Sequence, residues 1–485
     1  VYDGSRSIAS VRCFTEAFLT AFGPDRGNLL GNTAGVYGRK SMNLRKHAYF
    51  ALLGLRGQAL GRSYSRFLRE AQEGIPADTA KNLLVKLLTH CRESVPYYAS
   101  IMKGRKDSFE KDPEEYLRSF PVLTKDIIRR NFEALKSSDL TMRKWYFNTS
   151  GGSTGEPARF IQDRDYSTKS GAVKLLYSRL VAGKEVGESE ILLWSSLRDV
   201  ERSKKGQIAH WVNKLANIQI LSTVRLDPKV IGRYIKILNE TKPKLILAYP
   251  YAMYRIARFA EQTNLSVVPQ KTIMVSAGTL YPHMRDTIER VFQSRVFDRY
   301  GSREVGDIAC ERPGHDGFWV APWANYLEIA DRGGNRVAEG TSGEIFVTSL
   351  SNYAMPLIRY QIGDRGTLGP KDKDNCQMLS GLLGRSFDAF INSRGSLVNS
   401  GYFMVILYFR DWISQYQVVQ KSPDCILFRF VKSGNEIREA ELADISAKAK
   451  HLMDDDDCDI RFEFVDEIPA TSSGKYHFLI SEVNR

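Results

Sequence analysis

Through roughly the first 110 positions, apolar residues recur at spacings of three and four, as in Phe50-Ala-Leu-Leu-Gly-Leu-Arg56, Tyr64-Ser-Arg-Phe-Leu-Arg-Glu70 and Leu83-Leu-Val-Lys-Leu-Leu-Thr-His90. That period predicts helices. Val95-Pro96-Tyr97-Tyr98 interrupts it, and Phe120-Pro-Val-Leu-Thr-Lys-Asp126 reads as a loop whose Thr124 N-caps a helix running toward Leu135. After residue 160 the pattern changes to short apolar runs alternating with helical stretches. Strands are expected at Ser189–Trp194, Lys244–Tyr249, Thr272–Gly278 and Arg295–Gly301. Helices are expected from Pro228, over Tyr251–Glu261 and over Tyr281–Gln293. This is an α/β layout, in which ligands sit at the carboxyl ends of the strands. Ala248-Tyr249-Pro250, Ser276-Ala277-Gly278-Thr279 and Tyr300-Gly301-Ser302-Arg303-Glu304 fall at such ends.

Between Asn325 and Leu368 the chain turns to short strands, at Tyr326–Ile329, Gly343–Thr348 and Pro356–Tyr360, which predicts a small β-subdomain. Gly369–Asn375 reads as a turn. The tail from Gly384-Arg385 onward reads as strands at Ile426–Val431 and Ile460–Val465, a helix at Glu439–Met453 and a closing loop at Pro469–Lys475. The expected organisation is a large unit over 1–384 and a small α+β unit over 385–485. The large unit divides into a helical preface (1–147), an α/β core (148–324) and a β-subdomain (325–384).

A chain of 485 residues exceeds one ordinary hydrophobic core, in agreement with that division. No apolar run approaches the ~20 residues that span a bilayer, and the first residues lack a signal-peptide pattern, so a cytoplasmic protein is expected. The six cysteines form no C-x-x-C pair, which argues against a disulfide framework. Cys310 and His315, with Cys376 as a third member, are a candidate metal group, though a Cys/His pair alone is more often loop and core. The net charge is 69 − 56 = +13, and residues 1–147 carry 25 Lys/Arg against 15 Asp/Glu. Between Gly27 and Arg69 there are eight basic residues and no acidic one. Such a stretch suits an anionic lipid surface, at which the protein would be peripheral to the inner face of the membrane. It also suits a solvated helix face, and no nucleic-acid motif accompanies it.

Phe147–Phe160, FNTSGGSTGEPARF, is the candidate for phosphate chemistry. Ser150, Gly151, Gly152, Ser153, Thr154 and Gly155 offer backbone N–H groups and hydroxyls to one anion, and glycine lets the main chain approach phosphate oxygens. No lysine follows as in a Walker loop, and a Ser/Gly linker is the plain alternative.

In order along nearly the whole chain stand Val95-Pro-Tyr-Tyr98, Phe120-Pro-Val-Leu-Thr-Lys125, Ser150-Gly-Gly-Ser-Thr-Gly-Glu-Pro157, Asp298-Arg-Tyr-Gly-Ser-Arg-Glu304, Ile358-Arg-Tyr-Gln-Ile-Gly-Asp364, Gly384-Arg385 and Thr471-Ser-Ser-Gly-Lys475. This series resembles the adenylate-forming ligase superfamily, in the branch of phenylacetate-CoA ligases and CapK-type proteins. Ile191–Asp199 is more similar to the CapK-type members. The resemblance implies a multi-subdomain α/β ligase fold with a small mobile C-terminal unit. It also implies ATP and Mg²⁺ as cofactors, with CoA, an amine or a hydroxyl, including that of a sugar or lipid-linked glycan, as acceptor of an activated carboxylic acid.

By the same resemblance, Ser150–Gly155 hold the β- and γ-phosphates, and Glu304 binds Mg²⁺. Asp298, Tyr300, Gly301 and Ser302 line the nucleotide, with Tyr300 against adenine, and Asp364 accepts from the ribose hydroxyls. Arg385 touches ribose or phosphate at the hinge. Lys475 bridges the acyl carboxylate and the α-phosphate, then swaps out for the second half-reaction. The acyl pocket is expected near Trp194, Tyr249, Tyr251, Ala277 and Gly278. The chain departs from the family pattern at Phe387, where the hinge often has an acid, at Glu156, where many members have lysine, and at Thr279, where Glu is common. An adenylyltransferase that leaves AMP on its substrate, and a nucleotide-binding scaffold, are the alternatives. Nothing in the sequence sets the oligomeric state.

Overall fold

The computed structural model describes residues 43–483 except 106–107, 151–157, 195–206, 224–225, 332, 339, 386–389, 399, 408–409, 411, 434–435, 437–438 and 470–476. It gives backbone alone at 207–210, 384–385, 397, 401 and 405. The chain begins with helices α1 (Leu44–Leu55), α2 (Leu60–Glu73), α3 (Thr79–Ser94), α4 (Pro96–Met102), α5 (Pro113–Arg118) and α6 (Lys125–Arg130). The three-and-four spacing becomes their buried stripes: Leu60, Tyr64 and Phe67 on α2, and Leu84, Leu87, Leu88 and Cys91 on α3. Pro96 interrupts α3 as expected but opens α4, because proline's missing N–H is unneeded at the first helical position. Thr124 Oγ1 accepts from Ile127 N at 3.2 Å, so the expected cap is present. The helix is shorter than expected: the Asn131 side chain bonds Ile127 O at 3.0 Å and ends it before Leu135.

A hairpin follows, β1 (Trp145–Thr149) with β2 (Arg159–Asp163), and α7 (Arg164–Ala182) starts from Asp163 as its N-cap. Then come β3 (Glu190–Trp194), α8 (Gln207–Ala216), β4 (Ile218–Ser222), α9 (Pro228–Thr241), β5 (Leu245–Ala248), α10 (Pro250–Gln262), β6 (Ile273–Ser276), α11 (Pro282–Phe292) and β7 (Val296–Ser302). The helices α9, α10 and α11 each begin with a proline, which turns the chain sharply at the strand ends. Antiparallel strands β8 (Gly306–Glu311), β9 (Phe318–Val320), β10 (Asn325–Ala330), β11 (Gly343–Ser349), β12 (Tyr360–Gly369) and β13 (Met378–Arg385) complete the large sheet.

Among the described residues that sheet has eleven strands in the order β10-β11-β12-β13-β9-β8-β7-β6-β5-β3-β4, parallel from β7 to β4. Residues 325–384 continue it, because β13 pairs with β9 through Met378↔Trp319 and Leu379↔Phe318. Every residue of β5 is buried: Leu245 and Leu247 pack with α2 and α7 on one face, Ile246 and Ala248 with α9, α10 and α11 on the other. The strand expected at Pro356–Tyr360 is displaced. Pro356–Arg359 is irregular, Arg359 holds a left-handed φ of +49°, and the strand runs on from Tyr360, so Asp364 lies in a ladder and not in a turn.

The C-terminal part holds β14 (Phe390–Ile391), β15 (Leu397–Val398), α12 (Gly401–Val405), β16 (Ile413–Ser422), β17 (Cys425–Lys432), α13 (Glu439–Met453), β18 (Asp459–Phe464) and β19 (Leu479–Ser481). Its four-stranded sheet, ordered β18-β17-β16-β19, has its own core around Phe403, Trp412, Phe428, Phe430 and Ile445.

Candidate active site

In sequence the glycine run falls between β1 and β2, and its first residue, Ser150, follows the end of β1. At its base Ser150 N donates to Ala158 O at 2.9 Å, and Ala158 N donates to Ser150 Oγ at 2.9 Å, so both strands are clasped where the loop begins and ends. One step back, the hairpin reaches the large sheet. Gln162, almost fully buried, donates from Nε2 to Arg303 O at 2.9 Å and to Glu304 O at 3.0 Å. Asn148 donates to Gln162 Oε1 at 3.0 Å, which fixes the orientation of that amide. One side chain thus ties the loop-bearing hairpin to the backbone of the candidate metal ligand.

Gly301 lies near the end of β7, paired with Asp307 of β8, and Glu304 lies in the turn between the two strands. A Cβ on Gly301 would lie 2.8 Å from Gly306 O, so only glycine lets the two strands approach this closely. The Glu304 carboxylate is buried and accepts from Tyr360 Oη at 3.4 Å. Ser302 Oγ accepts from Val305 N at 3.4 Å. Tyr300 is buried with its hydroxyl donating to Asp364 Oδ2 at 2.7 Å, and Asp364 stands directly opposite Arg385 in the β12–β13 ladder. The structure therefore brings together Tyr300, Asp364 and the backbone of Arg385, joins Glu304 to the same strand β12 through Tyr360, and ties the hairpin that ends in Ser150 to Glu304 through Gln162. Gly151, Gly152, Ser153, Thr154, Gly155 and Lys475 lie outside the described residues.

Comparison with known proteins decides what this arrangement belongs to. A family model for the CapK C-terminal domain matches residues 390–482. Protein CapK of Staphylococcus aureus is 27% identical over 409 residues, covering 81% of this chain and 86% of the relative. The phenylacetate-coenzyme A ligase of Escherichia coli (strain K12) is 23% identical over 316 residues, covering 63% of this chain and 70% of the relative. The chain is CapK-like and related to the phenylacetate-CoA ligases of the adenylate-forming ligase superfamily. Its fold matches the crystal structure of 2-hydroxyisobutyryl-CoA ligase in the postadenylation state, with a TM-score of 0.65 at 18% identity, over 84% of this chain and 91% of that one.

In this adenylate-forming ligase the residues expected around the acyl group gather at the strand ends. Trp194, last in β3, stacks on Tyr249, just after β5, with ring centroids 4.1 Å apart at 19°. Ala277 follows β6 with a φ of +64°, a conformation that costs a non-glycine residue about 1–2 kcal/mol. Gly278 lies against Pro250, where a Cβ would come 3.3 Å from its ring. Tyr251, in the first turn of α10, has its phenol pushed up to about 12 by burial and stays protonated.

The candidate metal group does not assemble. Cys310 and Cys376 are buried in the apolar cluster under α7, where burial raises both thiols, Cys376 to about 12. Among the described residues no three His, Cys, Asp or Glu side chains are placed to hold a metal.

Asp298 is buried on β7. Burial pushes its carboxyl from 3.8 up to about 7, the neighbouring Glu311 adds to the rise, and Arg285 opposes it while holding Glu311 through two bonds of 2.8 and 3.0 Å. Because the folded carboxyl keeps its proton to higher pH than the unfolded one, stability is greatest near and below pH ~4 and falls as pH rises through about 7. Asp298→Asn is expected to match the wild type at about pH 3.5, where the carboxyl is protonated folded and unfolded, and to be more stable in urea unfolding at pH 8, by up to about 4 kcal/mol. An equal difference at both pH values would show that this carboxyl does not titrate in that window.

Sequence reasoning missed Gln162, Asn148 and Tyr360. The signal for Gln162 was available: it is a polar residue inside the apolar run Phe160-Ile161, at a position a strand buries.

Proposed function

We propose that this protein is an ATP-dependent, AMP-forming ligase that converts a carboxylic acid to its acyl-adenylate and passes the acyl group to CoA, an amine or a hydroxyl. The observation that carries the reading is the Gln162 tie, which joins the hairpin that carries the glycine run to the backbone of Arg303 and Glu304, the turn that follows Tyr300, itself bonded to Asp364. A loop for phosphates, a carboxylate for a hard cation and a carboxylate for ribose are what adenylate formation needs at one place. Glu304 fits Mg²⁺, which prefers one or two carboxylate oxygens together with substrate phosphates and would neutralise charge on them. The stacked Trp194–Tyr249 pair suits a partly apolar acid. Its neighbours in kind support the reading: one relative is named a phenylacetate-coenzyme A ligase, and the fold match holds an acyl-AMP.

The test is ATP/pyrophosphate exchange with a panel of arylacetic, benzoic, short aliphatic and hydroxy acids, with hydroxylamine trapping of the acyl-AMP. Exchange with at least one acid and recovery of its hydroxamate are expected. A product whose mass retains AMP would identify an adenylyltransferase, and no exchange with any acid would overturn the ligase reading.

For location, the reading is a cytoplasmic enzyme that touches anionic lipid through α1 and α2. Arg56, Arg62 and Arg69 are exposed there, whereas Arg66 is paired with Glu70 at 3.7 Å and Lys46 with Glu185 at 2.7 Å. No described helix is long and apolar enough to cross a membrane. Flotation is expected with phosphatidylserine vesicles and not with phosphatidylcholine vesicles, and Arg62→Glu with Arg69→Glu should abolish it. Equal flotation on both vesicle types would remove the docking role.

A further inference from the structure

Among the described residues, aromatic rings join the C-terminal unit to the acid-binding end of the large unit, Phe478 from the small unit and Tyr251 and Tyr281 from the large one. Phe478 lies just before β19, and its main chain belongs to the small unit: Val418 N donates to Phe478 O at 2.7 Å, and Gln417 Nε2 donates to His477 O at 2.9 Å. Its ring reaches outward. It meets Tyr251 of α10 edge to face, with centroids 4.8 Å apart at 83°, while Tyr416 of β16 backs it at 5.2 Å. Phe478 accordingly packs against the core of both units, and Tyr281, at the start of α11, packs against the core of the small one.

Position gives this contact its meaning. Tyr251 lies two residues beyond Tyr249, which stacks on Trp194 at the expected acyl site. Phe478 lies three residues after Lys475, so the chain between them spans at most ~11 Å. An edge-to-face aromatic pair is directional and worth about 0.5–1.5 kcal/mol beyond its burial. That is enough to select one seating of the small unit, and weak enough to release it.

We propose that the Tyr251–Phe478 contact is a positioning pair that seats the small unit on the acid-binding end of the large unit for adenylate formation, and that it opens for acyl transfer. The proposal rests on the ligase reading. Its cost on failure is specific to one half-reaction, since a misplacement of about 1 Å can lower a rate a hundredfold.

The test uses the full chain with Phe478→Ala, Phe478→Tyr, Tyr251→Ala and the Tyr251→Ala/Phe478→Ala double variant. Exchange is measured with the acid that the wild type selects from the panel, and transfer is measured from the synthetic acyl-AMP of that acid. Phe478→Ala is expected to lose about tenfold to a hundredfold in exchange with transfer changed less than about twofold. Phe478→Tyr should restore exchange, and the double variant should be no slower than the worse single one. Small-angle scattering of the ligand-free protein should give a larger radius of gyration for Phe478→Ala than for wild type or Phe478→Tyr. Equal losses in both half-reactions, additive losses in the double variant, or unchanged scattering would overturn the pair. If the wild type activates no acid, the ligase reading fails on its own, and scattering still decides whether the ring seats the small unit.

Discussion

Arg359→Ala is expected to destabilise the large unit by about 3–5 kcal/mol, the loss typical of breaking a buried charged network from one side. Arg359 is nearly fully buried. Its guanidinium donates to Glu328 Oε2 at 3.1 Å, to Arg118 O at 2.8 Å, to Phe120 O at 2.7 Å and to Gly334 O at 2.7 Å. Its main chain joins the same seam, with Leu123 N donating to Arg359 O at 3.0 Å and Gln361 N donating to Leu123 O at 3.0 Å. Truncation would strand Glu328, whose carboxyl burial already raises and Arg359 lowers, together with three carbonyls. Lysine offers a point charge and cannot replace a planar fork with four acceptors. Urea unfolding followed by tryptophan fluorescence measures the loss, and adding Glu328→Gln to Arg359→Ala should recover part of it. A change under about 1 kcal/mol would mean that the seam holds without its arginine.

Lys475→Ala is expected to lower ATP/pyrophosphate exchange by at least about 10²–10³-fold, the effect of removing one donor aimed at developing charge. Nucleotide binding, measured by calorimetry with ATP, should stay within a few-fold, because the residues proposed to hold the nucleotide, Glu304 and Asp364 among them, belong to the large unit. The residue itself lies outside the described residues. The chain that follows it is well anchored, with β19 paired in parallel to β16 through Val418↔Leu479. The contrast with Phe478→Ala is informative. Loss of the lysine should survive any rearrangement of the small unit, whereas loss of the ring should be repaired by any aromatic that restores the seating. Undiminished exchange in Lys475→Ala would remove the role assigned to it.

What was legible in the sequence was local. Helix periodicity, the proline that opens α9, the Thr124 cap and the bounds Glu439–Met453 all follow from neighbours within a few residues. The order of motifs gave the family for the same reason, since each motif is a short run. What was hidden depends on distant partners. Pro356–Arg359 looks like a strand by composition, yet its backbone is shaped by the Arg359 seam to Leu123 and Phe120. Gln162 looks like an ordinary strand residue until Arg303 and Glu304, more than a hundred positions away, are found against it. The continuity of residues 325–384 with the α/β sheet depends likewise on β9 meeting β13, a pairing with no local sign.

The seam at Arg359 also governs how the protein is made. Phe120 and Arg359 are 239 positions apart, so the helices before Phe120 leave the ribosome tens of seconds before their partner at synthesis rates of ~5–20 residues per second. During that interval Leu84, Leu87 and Leu88 of α3, fully covered in the finished fold, have no strand to cover them. The nascent chain is thus most exposed to aggregation in its first third, and chaperone demand should fall once residue 360 has emerged.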